Sequence, residues 1–501
     1  MTTSSPASSR SSSPGVLIGV ILIASFMDLL DVTIVAVAAP DIQSSLATTP
    51  SQLQWMIAAY ALSLGVALIT GGRIGDQYGR RRAFQLGLAG FVAASAACAL
   101  APTAGVLIAT RVVQGFAAGL MVPQVFGMIR ASLTPKQMGA ALAAYGGVQG
   151  LASIAGPLLG GILVTADLFG LGWRTIFWVN VPVGLLALLL GREVLPESRQ
   201  DHPGRLDLIG AALLAGSLLL VLLPIMQGRS WGWPGWGWGL LTAGVAGLMV
   251  FVAVEQRVAA GGGQPVLDPK LLRNRAFRTG LGASLAFFGG IAAFFLLLSI
   301  YLQDGTGRTA LATGLITLPY ALGSLITSGI GVRLAGQQGR RLLITGCLLI
   351  AASHAVMWLV VAGLDNPTWW QLGGPLLLGG CGLGLAAPPL ITVILAGIPA
   401  RAAGSAGGVL STVSQIGGSI GVAALGAVFF TQLDETSSAA GRSTPSFNSA
   451  FASTLPAQIV LYLVAAALMT LLPEPSAIPH DGGSRGVDQD RGAAQSRCRS
   501  E

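Results

Sequence analysis

The stretch Gly71-Gly72-Arg73-Ile74-Gly75-Asp76-Gln77-Tyr78-Gly79-Arg80-Arg81 returns later in the chain as Gly331-Val332-Arg333-Leu334-Ala335-Gly336-Gln337-Gln338-Gly339-Arg340-Arg341, identical at six of the eleven positions. Each copy is a short basic loop between two long apolar runs. Arginines alone are common in such loops, but the aligned glycines make an internal repeat the better account. Parallel repeats related by an axis along the membrane normal are a transporter architecture. The copies lie between apolar runs 2 and 3 and between runs 10 and 11. Two six-helix units would place them six runs apart, and they are eight apart, so two helices are inserted between the halves. Residues 207–255 are the natural insert, expected at the periphery.

Composition agrees. The 501 residues are 53% hydrophobic and 10% charged, with a mean hydropathy of +0.72; a soluble domain carries about 25% charged residues. Apolar runs of about 20 residues, the length that spans a bilayer core, recur along the whole chain. There are about fourteen, from 15–38 to 453–472, with none of the short alternation of a β-barrel. The 70 glycines suit helices packed closely in lipid. The fold class predicted is an all-α polytopic membrane protein of fourteen transmembrane helices: two six-helix bundles plus two inserted central helices. Its parts are a disordered tail at 1–14, an N-terminal bundle at 15–192, inner loops and the inserted helices at 193–276, a C-terminal bundle at 277–472, and a polar tail at 473–501.

The net charge of +8 resolves into a topology signal. With the N-terminus inside, the inner loops and helix ends hold Arg73, Arg80, Arg81, Arg82, Arg130, Lys136, Arg192, Arg199, Arg205, Arg257, Lys270, Arg273, Arg275, Arg278, Arg333, Arg340, Arg341 and Arg401. The outer ones hold Arg174, Arg229, Arg308 and Arg442. Cytoplasmic loops carry the basic excess, so both termini are expected in the cytoplasm and nothing is left to attribute to nucleic acid. Cys98, Cys347 and Cys381 lie in spans and Cys498 in the tail, a pattern of neither disulfide nor metal site.

Two acids, Asp28 and Asp31, lie deep in the first run. An ionised carboxylate there costs about 2.5–3.5 kcal/mol on insertion scales and marks a proton, ion or substrate pathway by default. At i and i+3 the two share a helix face. With a rise of 1.5 Å per residue, Asp28 on run 1 and Arg111 on run 4 come to about the same depth, roughly 10 Å from the outer surface. Arg111 is therefore expected to stabilise one protonation state of the acidic pair, directly or through water. Asp76 is expected at the start of helix 3, as an N-cap or in a pair with the neighbouring arginines. Gln114, Gln149 and Gln415 are further intramembrane polar groups, lining a cavity or bonding within the packing. His354 in run 11 is read as a packed residue before a proton carrier.

These residues resemble the major facilitator superfamily, and within it the fourteen-helix drug:proton antiporters. Gly72 to Arg82 resembles the signature loop between helices 2 and 3. Leu107 with Arg111-Val112-Val113-Gln114-Gly115 resembles the helix 4 motif, and Gly156-Pro157-Leu158-Leu159-Gly160-Gly161 the antiporter motif of helix 5. Leu30-Asp31-Val32-Thr33-Ile34-Val35 with Ala38 and Pro40, and Trp173-Arg174-Thr175-Ile176-Phe177 with Asn180, Pro182 and Gly184, fit the fourteen-helix branch. The chain departs from the pattern at Ala36, where Asn is usual, at Ala152, often Gly, and at Gly336, which replaces the acidic residue in the second loop copy, a departure common in the superfamily's second half.

The resemblance implies a proton-driven exporter of lipophilic drugs or antibiotics, cations among them, in a bacterial cytoplasmic membrane. It implies the proton as coupling ion, no cofactor, and a functional monomer in contact with membrane lipid. Asp31 takes the family's proton and substrate position, while Asp28 is an addition that either favours cations or makes a hydrogen bond. Gly72, Asp76, Gly79, Arg80 and Arg81 become an inner conformational latch. Gly156, Pro157, Gly160 and Gly161 become a tight outer contact with the other bundle. The alternative is a symporter or facilitator importing a small metabolite. An enzyme is not expected, since no metal-ligand cluster, Walker loop or catalytic domain is legible.

Overall fold

The computed structural model describes residues 14–199, 207–228, 230–263, 265–266, 269–364, 366–395, 398, 403–437 and 443–472. The two tails and Arg205, Arg229, Arg401 and Arg442 lie outside them, as do the side chains of Arg130, Lys136 and Gln149. The N-terminal half holds α1 Pro14–Leu46, α2 Pro50–Tyr78, α3 Arg80–Ala99, α4 Ala104–Ser132, α5 Pro135–Ala166 and α6 Gly172–Val194. The inserted pair is α7 Leu208–Gln227 and α8 Gly235–Ala260. The C-terminal half holds α9 Arg275–Gly305, α10 Ala310–Ala335, α11 Gln337–Gly363, α12 Trp369–Leu395, α13 Ala403–Thr436 and α14 Thr444–Thr470. Among the described residues thirteen helices are long and apolar enough to cross a membrane; α5 is a 32-residue helix whose Ala155–Ala166 part is apolar. The chain is an all-helical, multi-pass membrane protein.

Local sequence sets the ends. Thr49 and Thr134 open α2 and α5 with reciprocal capping boxes to Gln52 and Gln137, followed by Pro50 and Pro135 in the first turn, where a missing N–H costs nothing. Between α2 and α3 the chain turns on Gly79 at φ 111°, a conformation that disfavours any side chain. The second copy of the repeat behaves differently from the tight loop expected. The helix continues from Ala310 to Gly363 and only bends, at Gln338 (φ −129°, ψ 22°). Gly339, the counterpart of Gly79, stays helical.

The apolar cores are distributed unevenly. Toward the face bearing the two glycine–arginine segments, hereafter the loop face, each half has its own core. One is built around Phe84, Phe91 and Met121, the other around Phe277, Phe287 and Leu343. Toward the opposite face a single core runs through both halves, joining Ile34, Met56 and Phe177 to Phe294, Leu298 and Phe429. A fourth cluster brings α7 into the seam between α2 and α13. The insert is thus wedged against both halves, a closer engagement than a peripheral position implies.

Candidate functional site

Asp31 is fully buried in α1, bonded directly from two other helices in a network that draws in two more. Its Oδ2 is ion-paired with Nη1 of Arg111 on α4. Its Oδ1 accepts from Gln114 Nε2 at 2.8 Å and from Asn180 Nδ2 of α6 at 3.1 Å. Gln114 Nε2 also donates to Ser95 Oγ of α3 at 2.9 Å. Arg111, 1% exposed, donates from Nε to the Met56 carbonyl of α2 at 3.1 Å and from Nη1 to Gln114 Oε1 at 2.8 Å. Its guanidinium lies 4.1 Å above the ring of Tyr60, a cation–π contact that gains strength when desolvated. A buried charge pair survives only when the remaining polar atoms are satisfied, and losing one partner costs about 3–5 kcal/mol.

Asp28, one turn earlier and only partly buried, is engaged elsewhere. The Tyr60 hydroxyl donates to its Oδ1 at 2.5 Å. The structure therefore brings Arg111 to Asp31 directly and ties Asp28 to the same guanidinium only through the Tyr60 ring. The sequence reading missed Tyr60 and Ser95. A tyrosine in mid-span, away from the headgroup level where such rings gather, was a usable signal; a serine in an alanine-rich run offered none. Asn180 was legible only as part of a motif.

Beside this network lies a cavity of about 50 Å³ between the halves, lined by Tyr60, Arg111, Val32 and Ile57 on one side and by Ala292, Gln415, Gly418 and Ser419 on the other. A drug-sized ligand needs about 300 Å³ or more, so the halves must part to admit one. Hydrogen bonds hold them together: Ser419 Oγ donates to the Ala58 carbonyl at 3.2 Å and Thr412 Oγ1 to the Gly65 carbonyl at 2.8 Å, joining α13 to α2. Gln303 Nε2 of α9 donates to the Val37 carbonyl of α1 at 2.8 Å.

The helix 5 run lies above this cavity, toward the opposite face. A side chain at Gly156 would collide with Thr33 Oγ1, and one at Gly160 would stand 2.9 Å from Ile34 Cγ1, so α5 lies directly on α1. Gly161 faces the other half, where an added Cβ would come 2.6 Å from the Ala310 carbonyl and 2.7 Å from Leu311 Cα. Gly314 presses in turn on the carbonyl of Pro157. The Gly156–Gly161 segment is a two-sided backbone contact between the halves.

The loop-face residues sit within the N-terminal half. Asp76 lies in the last turn of α2, which corrects the expected place at the start of α3; the cap of α3 is Gly79, with no side-chain hydrogen bond. Asp76 instead pairs with Arg80 at 2.7 Å, one turn on and across the Gly79 break. Arg80 Nη1 reaches the Gly127 carbonyl of α4 at 3.2 Å. The Arg81 amide donates to Glu197 Oε1 at 3.2 Å, and Gly72 packs on Pro123. His354 of α11 is 1% exposed, with Nδ1 2.7 Å from the Ile350 carbonyl and the rings of Phe294 and Tyr462 around it. Groups of three or more His, Cys, Asp or Glu able to hold a metal are absent among the described residues.

Comparison with known proteins places this geometry. The model of the Major Facilitator Superfamily matches residues 21–422. A "Probable actinorhodin transporter" of Streptomyces coelicolor is 37% identical over 84% of this chain and 73% of its own length. A tetracenomycin C resistance and export protein of Streptomyces glaucescens is 32% identical over 84% of this chain and 76% of its own. Among solved structures, the xylose transporter XylE from E. coli superposes with a TM-score of 0.63 at 14% identity, covering 93% of this chain and 99% of that one, a likeness of fold.

Proposed function

The chain belongs to the major facilitator superfamily, and from that premise we propose that it exports lipophilic antibiotics or drugs across the bacterial cytoplasmic membrane in exchange for protons. The loop face is cytoplasmic, both tails lie on that side, and the chain works as a monomer in lipid. The observation that carries the reading is the fully buried Asp31–Arg111 pair beside a cavity shared by the two halves. The names of the two Streptomyces relatives support the substrate class.

The chemistry follows from charge balance. With both acids ionised, Asp28, Asp31 and Arg111 sum to one negative charge, which a proton or a cationic compound offsets equally well. A proton on Asp31 neutralises the carboxylate and loosens its hold on Arg111. The guanidinium then turns toward the cavity face and disfavours a cation there. Substrate and proton oppose one another energetically, and the effect is reciprocal. Parting of α2 from α13 at the loop face admits the compound while the shared core and the Gly156–Gly161 contact close the outer side. Proton arrival from outside favours the reverse arrangement and release.

Inverted membrane vesicles loaded with ethidium, actinorhodin or tetracenomycin C test this. Under an imposed proton gradient the wild type accumulates at least one of them, and Asp31→Asn does not. Uptake indifferent to both gradient and substitution would remove the antiport reading, and gradient-driven loss from the vesicles would favour an importing symporter.

A further inference from the structure

The inserted pair, α7 and α8, is fastened to one half at both of its ends. Toward the opposite face, Ser51 Oγ of α2 donates to the Met226 carbonyl at the end of α7 at 2.7 Å. Toward the loop face, Arg73 of α2 lies within electrostatic reach of Asp207, which caps α7, and of Glu255 near the end of α8. Its Nη2 donates to the carbonyl of Pro265, just past α8. Glu255 is 1% exposed, and its Oε1 and Asp207 Oδ2 both lie close beside Gly210, so the acids of the two helices share one place at the base of the pair. Against the other half the contact has a different character. Leu218 and Leu222 meet Ile416 and Ala423 of α13 in an apolar cluster shared with Leu62 and Val66 of α2. Polar and charged contacts fix a register, whereas an aliphatic surface permits sliding, because apolar contact is non-directional.

We propose that the inserted pair is a fixed part of the N-terminal half, a lipid-side wall over the α2–α13 seam along which α13 slides, and that Arg73 is the positioning residue that holds it. An adjoining face of α13 carries Gln415 and Ser419, which line the cavity. When α13 parts from α2, a wall travelling with α2 keeps lipid out of the opening. The proposal rests on the rocking of the two halves described above.

Three spin-label distances in a cysteine-free full-length chain test it, read with and without ethidium at acid and neutral pH. Thr103→Cys marks the N-terminal half, Ala362→Cys the C-terminal half and Ser230→Cys the insert. The expected result is a constant 103–230 distance while 103–362 and 230–362 shift together. A 103–230 distance that shifts while 230–362 stays constant overturns the proposal and leaves the rocking of the halves intact. A constant 103–362 distance overturns the rocking itself, and the proposal with it. Arg73→Ala broadens the 103–230 distribution and lowers maximal transport with little change in KM, and Arg73→Lys restores both; an unbroadened distribution in Arg73→Ala contradicts the role given to Arg73.

Discussion

The two halves share a helical plan and differ at their centres. In the N-terminal half, four helices bring Asp31, Ser95, Arg111, Gln114 and Asn180 into one hydrogen-bonded network with an ion pair at its heart. In the C-terminal half the middle is filled with rings: Phe294 and Tyr462 pack against His354, and Tyr320 and Phe451 against Phe294. Charge that must be balanced can change partners, and rings that fill space cannot. In the proposed exchange, this difference puts the coupling chemistry in one half and leaves the other to supply a surface for it to work against. Gln415 and Ser419, on the cavity side of α13, are that surface.

The comparison is broken most severely by Asp31→Asn. Gradient-driven export should fall to background, and stability should drop by an amount approaching the about 3–5 kcal/mol of a broken buried pair, measured as the denaturation midpoint in detergent. Pairing Asp31→Asn with Arg111→Gln should recover most of that stability and none of the export. Next in size is Gly161→Val. Forcing a branched side chain against Ala310 and Leu311 costs about 1–3 kcal/mol where packing is tight, so export in vesicles should fall about tenfold or more, with Gly161→Ala intermediate. Asp28→Asn should raise the KM for ethidium several-fold with gradient coupling retained, and Tyr60→Phe, which keeps the carboxylate and removes only its hydrogen bond, should do the same more weakly. The smallest effect belongs to His354→Gln. Export should stay within about twofold of wild type, and stability should fall by about 1–2 kcal/mol, in the range of ordinary substitutions; abolished coupling in that variant would move titration into the ring-filled half.

The helices themselves were legible because a bilayer imposes length and composition on whatever spans it, and the repeat was legible because Gly71 to Arg81 and Gly331 to Arg341 kept their spacing. The depths of Asp28 and Arg111 followed from a fixed rise per residue. What depth could not supply was azimuth. Arg111 and Asp28 were placed at one level, yet the ion pair formed with Asp31 while Asp28 turned to Tyr60, a choice made by which helix faces meet. The bend at Gln338 escaped for a related reason: a loop and a kinked helix read alike when both are short and polar, and only tertiary packing decides between them. The packing of α7 over the α2–α13 seam escaped because a uniformly apolar helix gives no sign of which neighbour it faces.

Proton release on substrate binding tests the central claim most directly. Ethidium added to the purified wild-type protein in weakly buffered detergent should release protons into solution as it binds. Asp31→Asn should release none while still binding the dye with measurable affinity. Proton release from Asp31→Asn equal to that of the wild type would contradict the assignment of the exchange to the Asp31–Arg111 pair.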